Sequence, residues 1–168
     1  MRLRPLPLLV PLIASFLTLT GCGNAVTARV VGAVGVGTDP DGTVVAVVAT
    51  CGHDLDTVTL VRGREGLPDD EPNPVVASGP LATDAGGLTV VTLTVASAAS
   101  PPGPLRLDDL TGSTRYVLSA HSSREDVEAE QVTFAAEDLS ALPADRVVTG
   151  DGQIRARDAL REACTAAP

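Results

Sequence analysis

Tryptophan and lysine are absent from this chain, methionine occurs only as Met1, and aromatic residues are limited to one tyrosine and two phenylalanines. Phe16 lies in the apolar first segment, so Tyr116 and Phe134 are the only aromatics left to the rest of the chain. Both are needed by a core. That scarcity argues against a carbohydrate-binding face or a nucleobase platform, each of which stacks its ligand on exposed rings. The lack of internal methionine excludes a methionine-and-histidine copper site. Acids outnumber bases 21 to 12, giving a formal charge of −9. That balance opposes nucleic acid, whose phosphates require basic contacts, and flat adsorption to anionic lipid. No Gly-rich phosphate loop, nucleophile elbow or Ser-x-x-Lys pair occurs.

The first 21 residues have a different character. Arg2 and Arg4 precede an uncharged apolar run from Leu6 to Leu19, and the small residues Gly21-Cys22-Gly23 follow, which is the order of a secretory signal. The run is shorter than the roughly 20 residues a spanning helix needs, and Pro5, Pro7 and Pro11 interrupt its first half. Leu19-Thr20-Gly21-Cys22 resembles the lipobox of bacterial lipoproteins: an aliphatic residue, a small one, Gly or Ala, then cysteine. The resemblance implies cleavage before Cys22 and a lipid on its sulfur, with the mature chain on the outer face of the cytoplasmic membrane. Since every cation is arginine, as in a GC-rich genome, it points to a high-GC Gram-positive type of lipoprotein. At about 0.8 kcal/mol per buried methylene, two acyl chains hold firmly where one would exchange. Two of the twelve basic residues leave with the leader and no acid does, so the mature part carries ten against 21, a formal −11.

With Cys22 lipidated, Cys51 and Cys164 remain as an even pair in an oxidising compartment, and a disulfide is the expected use. Cys51-Gly52-His53-Asp54 also admits a reactive thiol or a metal site. Neither is favoured, because zinc requires four converging ligands and a catalytic Cys–His pair is normally assembled by the fold.

From residue 26 to residue 134 the apolar pattern has the period and length of strands. Segments 26–36 and 43–51 are Val-rich and joined by Thr38-Asp39-Pro40-Asp41-Gly42, a tight-turn sequence that predicts a hairpin. Further strands are expected over 57–62, 75–78, 88–96, 105–107, 115–121 and 127–134. Seven or eight strands at this spacing predict an all-β, two-sheet sandwich. Leu105 to Ala120 resembles the E–F corner of fibronectin type III domains, where a leucine, a turn, a threonine and a tyrosine form a tyrosine corner. The resemblance implies an immunoglobulin/fibronectin III-like sandwich with the Tyr116 hydroxyl bonded back to the chain. Gly112 stands where that family usually has proline, and the family's core tryptophan is missing. After Phe134 a short helical turn is expected over 136–142, an extended piece over 146–149, and a terminal helix over 154–164 with Ala156, Leu160 and Cys164 on one face. The predicted organisation is a leader (1–21), a lipidated terminus and tether (22–27), a sandwich (28–134) and a C-terminal extension with a short helix (135–168).

Candidate sites are sparse. His53, Asp54 and Asp56 are adjacent loop residues, and Asp39-Pro40-Asp41-Gly42 and Asp69-Asp70-Glu71 read as solvated turns more than as calcium loops, so no metal or cofactor is expected. Ser119, Ser122 and Ser123 lie near His121 without an identifiable acid or oxyanion hole, and no catalytic residue is expected. The function predicted is that of a non-enzymatic interaction domain, held by lipid and meeting envelope or membrane proteins through the loops at 63–74 and 97–104. The alternative is a small-molecule or ion-binding accessory lipoprotein.

Overall fold

A computed structural model describes residues 28–82, 87–95 and 103–165. The leader, Cys22 and its tether, and the 97–102 part of the second loop lie outside the described residues. Eleven strands are present among them: β1 (Arg29–Thr38), β2 (Val44–Ala49), β3 (Thr57–Arg62), β4 (Val75–Pro80), β5 (Leu88–Thr92), β6 (Thr94–Val95), β7 (Tyr116–His121), β8 (Val127–Glu130), β9 (Val132–Phe134), β10 (Arg146–Thr149) and β11 (Ile154–Ala156). One short helix, α1 (Ala136–Ser140), and two 3-10 segments, Leu107–Asp109 and Arg157–Cys164, complete them.

The strands form two layers joined into a nearly closed, barrel-like sandwich. One layer runs β5-β2-β1-β10-β11, and the other places β8 and β9 beside β7, followed by β3, β4 and β6. β1 belongs to both. Its second half pairs antiparallel with β2, from Ala33 opposite Ala49 to Thr38 opposite Val44, while its first half pairs parallel with β8, Arg29 opposite Val127. On the far side the chain crosses between layers at Leu93: β5 pairs with β2, and β6 pairs with β4. Gly79 permits that closure, since a Cβ there would lie 2.8 Å from Val91 Cγ1 and 3.2 Å from the Thr92 carbonyl.

Val34, Val36, Val44, Ala46, Val48, Val58, Leu60 and Leu118 alternate inward along their strands and fill the space between the layers. Tyr116 and Phe134, opposite each other on β7 and β9, supply the only aromatic pair among the described residues, with ring centroids 5.8 Å apart.

β2 does not alternate: all six of its residues, Val-Val-Ala-Val-Val-Ala, are buried. Such an unbroken apolar strand requires cover on both faces. The outer cover comes from the end of the chain. Leu160, 2 % exposed, packs with Ala33, Val47, Ala49 and Val147 in a second, smaller cluster. Gly35 lets this cover approach, because a Cβ there would lie 2.7 Å from Val147 Cγ2 and 3.2 Å from Leu160 Cδ1. The segment after Phe134 thus joins the first layer through β10 and closes its outer face through the 3-10 segment.

Several expected elements take other forms. The single strand over 88–96 is two strands, because Leu93 turns inward and its neighbours pair with different layers. The strand over 127–134 likewise breaks at Gln131, with β8 beside β1 and β9 beside β7. Residues 105–107 form no strand: Leu107–Asp109 is a 3-10 turn, and Arg106 makes only an isolated bridge to Thr43. The terminal helix begins at Arg157, since Ile154, Arg155 and Ala156 pair with β10 instead. The hairpin is present as expected, its turn closed by the Asp39 amide on the Thr43 carbonyl at 2.9 Å and the Gly42 amide on the Asp39 carbonyl at 2.9 Å.

Candidate functional site

The sandwich has two chemically distinct ends. At one lie the start of β1, the turn after β2 and the loop between β7 and β8. The Arg29 amide donates to the Asp126 carbonyl at 2.8 Å, and Ser123 donates to Asp56 through both its amide (3.0 Å) and its hydroxyl (2.6 Å). Arg124 meets Asp54 at 2.6 Å. The Asp56 carboxyl is held down to about 2, chiefly by the Ser123 hydroxyl, then by the Thr57 hydroxyl and the Ser123 amide. These groups tie two loops together.

The disulfide is at this same end. Cys51 and Cys164 are bonded, with Cα atoms 4.9 Å apart and a sequence separation of 113. Cys51 has φ of 52° and Gly52 of 82°, so they form the centre of a tight turn closed by the His53 amide on the Thr50 carbonyl at 3.0 Å. The turn aims the Cys51 sulfur across the layer at the last residue of the terminal 3-10 segment. At that segment's other end, Arg157 bonds the Thr38 carbonyl and the Asp39 carboxylate, each at 3.0 Å. The cover is therefore pinned at both ends. With its sulfur in the disulfide, Cys51 is not a thiol available to His53. His121 sits at the end of β7 opposite Thr57, and Ser122 accepts the amides of Arg124 and Glu125, both at 3.2 Å, as a turn cap.

Tyr116 is bonded back to the turn that precedes β7. The Thr111 amide donates to the Tyr116 hydroxyl at 2.9 Å, and the ring is buried at 4 % exposure. The acidic turn at 39–42 has its oxygens engaged: Asp41 accepts from the Thr43 amide and hydroxyl, both at 3.0 Å, and Asp39 pairs with Arg157. The Thr43 amide and then its hydroxyl hold the Asp41 carboxyl below its ordinary range. Asp151 is held down to about 2 by the Thr149 hydroxyl first, then by Arg155 and the Gln153 amide. Among the described residues no three or more His, Cys, Asp or Glu side chains are grouped to hold a metal ion.

At the opposite end lies the loop at 63–74, which the sequence marks as an interaction loop but whose internal frame and neighbouring cleft it does not show. The Arg64 guanidinium donates to the carbonyls of Glu71 (2.8 Å), Pro68 (2.7 Å) and Asp69 (2.8 Å), so one cation replaces the hydrogen bonds that an irregular loop lacks. The loop's base is joined to the corner by the Gly63 amide on the Arg115 carbonyl at 2.7 Å. Between them opens a cleft of about 450 Å³, lined by Arg62, Glu65, Leu67, Ser113, Thr114 and Arg115 and by Gly63 and Gly66. The available signal was Arg62-Gly63-Arg64, two cations flanking a glycine in a chain short of cations.

No known protein family, curated protein or solved structure matches this chain.

Proposed function

We propose that the chain is a bacterial lipoprotein, anchored through a lipid on Cys22 at the outer face of the cytoplasmic membrane, whose domain acts as a non-enzymatic interaction module for envelope or membrane proteins. The anchor rests on Leu19-Thr20-Gly21-Cys22 behind a basic and then apolar leader. The orientation rests on one contact, the Arg29 amide on the Asp126 carbonyl, which fixes the tethered start of β1 at the end holding the 50–56 and 122–126 loops. The five residues 23–27 span under about 20 Å even when extended. The loops at 63–74 and around Arg115 then face away from the bilayer. They stand off by the length of β1, whose ten residues span about 33 Å.

For the domain, the reading is of an immunoglobulin/fibronectin III-like sandwich. Support comes from the tyrosine corner and from strand grouping: β1, β2 and β5 correspond to A, B and E in one layer, and β3, β7 and β8 to C, F and G in the other. Strands β10 and β11 and the covering 3-10 segment are additions to that plan.

Intact mass and detergent partitioning of the protein from its host, beside a Cys22→Ala variant, test the proposal. A lipid-modified terminus at Cys22 that disappears in the variant supports it; a soluble product cut elsewhere refutes it. The accessory-lipoprotein alternative, with a small molecule as ligand, draws its support from the cleft beside Arg62 and Arg115.

A further inference from the structure

We propose that this cleft is an oxyanion site, which takes a single carboxylate or phosphate group between the guanidinium groups of Arg62 and Arg115. The inference stands on the domain alone and holds whether or not Cys22 carries a lipid.

Cations are few here, and six of the ten arginines among the described residues are engaged, Arg29, Arg62, Arg115 and Arg161 being the others. Arg106, Arg124, Arg146, Arg155 and Arg157 each pair with an aspartate, and Arg64 holds its loop carbonyls. Arg62 and Arg115 make no ion pair and no side-chain hydrogen bond among the described residues, and both line one concavity. In a chain with 21 acids and 12 bases, two arginines free of ion pairs in the lining of one cleft, against a single glutamate there, favour an incoming anion. The planar fork of a guanidinium suits the two oxygens of a carboxylate or phosphate.

The walls are preorganised as such a site requires. One is the loop fixed by Arg64. The other is the 111–116 corner, fixed by the Tyr116 hydroxyl and by the Thr114 amide on the Thr111 carbonyl at 3.1 Å. Ser113 and Thr114 add hydroxyl donors to the lining, and the cleft's volume of about 450 Å³ lies within the range of small-ligand sites. Glu65 is the one acid in the lining. It forms no salt bridge with either arginine, and its carboxylate lies over Gly63, so close that a Cβ at Gly63 would collide with it. Its charge opposes an incoming anion, which gives the site a test of opposite sign to the arginine deletions.

The test is two-dimensional NMR of the full chain in a zwitterionic detergent. Inorganic phosphate and citrate are titrated separately, with ionic strength held constant by sodium chloride. Saturable shifts confined to the amides of 62–67 and 113–115 are expected with at least one of them. Affinity should fall about tenfold or more in Arg62→Ala and in Arg115→Ala and rise severalfold in Glu65→Gln. All three side chains are exposed, and an otherwise unchanged amide spectrum verifies that each variant folds. Saturation by phosphate alone assigns a phosphate-bearing ligand, and by citrate alone a carboxylate. Shifts that fail to saturate with either anion, or that persist unchanged in the arginine variants, overturn the site.

Discussion

Detaching the terminal 3-10 segment should remove one of the two faces that bury β2, and the cost can be worked from its contacts. Leu160→Ala deletes three carbons from a side chain only 2 % exposed, packed on Ala33, Val47, Ala49 and Val147. Leu→Ala in such settings costs about 2–5 kcal/mol, more where the surroundings cannot collapse. Here Leu160 Cδ1 sits over the backbone of Gly35, and a hydrogen-bonded strand with no side chain cannot move in to fill the space. We therefore expect about 3 kcal/mol. The disulfide closes a loop of 113 residues, for which loop-closure entropy corresponds to about 5 kcal/mol of destabilisation of the unfolded chain. Each is a large fraction of the whole stability of an ordinary domain, about 5–15 kcal/mol.

The assay is urea unfolding followed by far-UV circular dichroism, since the chain has no tryptophan to report by fluorescence. Four proteins form a cycle: the parent, Leu160→Ala, the double variant Cys51→Ser with Cys164→Ser, and all three changes together. The two perturbations act on one element and should not add. Without the disulfide the segment dissociates more readily, so Leu160→Ala should cost less than in the parent. A loss below about 0.5 kcal/mol for Leu160→Ala in the oxidised protein would refute this account of how β2 is covered.

Tyr116→Phe removes the bond from the Thr111 amide, and because Thr111 is exposed and water replaces the acceptor, a loss near 1 kcal/mol is expected by the same unfolding assay. Asp56 and Asp151 both have carboxyls depressed to about 2, below their unfolded values, so the unfolded chain binds more protons between about pH 2 and 4. Stability from these groups is then fully present above about pH 4 and lost as pH falls towards 2; Asp56→Asn should flatten that part of a pH series of melting temperatures. Arg64→Ala leaves three loop carbonyls without their donor, and faster proteolysis within 64–71 is expected while the urea midpoint of the sandwich changes little.

What the sequence made legible was local. β3 and β10 begin and end where their periodicity does, and the 39–42 turn carries its proline and glycine where a hairpin needs them. The Cys51–Cys164 bridge followed from counting cysteines, and the fate of both aromatics from their scarcity. Hydrogen-bond partners were not legible. Thr92-Leu93-Thr94 alternates as smoothly as any strand, yet the ladder changes layers at Leu93, a choice made by β2 and β4 some 15 to 50 residues earlier in the chain. Ile154 likewise reads as the first residue of the terminal helix, but it lies opposite Val148 on a strand and is 59 % exposed. The Val-rich run of β2 reads as one arm of a hairpin, and nothing in it identifies the chain terminus as the cover of its outer face. The cleft stayed hidden because Arg62 and Arg115 are 53 positions apart and come to line one cleft only through the register that sets Arg62 opposite Tyr116.

The most direct test of the functional account is the orientation of the two ends on a bilayer. Lipidated protein carrying a spin label at Gly66 or at Arg124 is placed in nanodiscs containing a gadolinium headgroup lipid, and relaxation enhancement is compared. Strong enhancement at 124 and little at 66 is the predicted result; equal enhancement at both, or the reverse order, would contradict it.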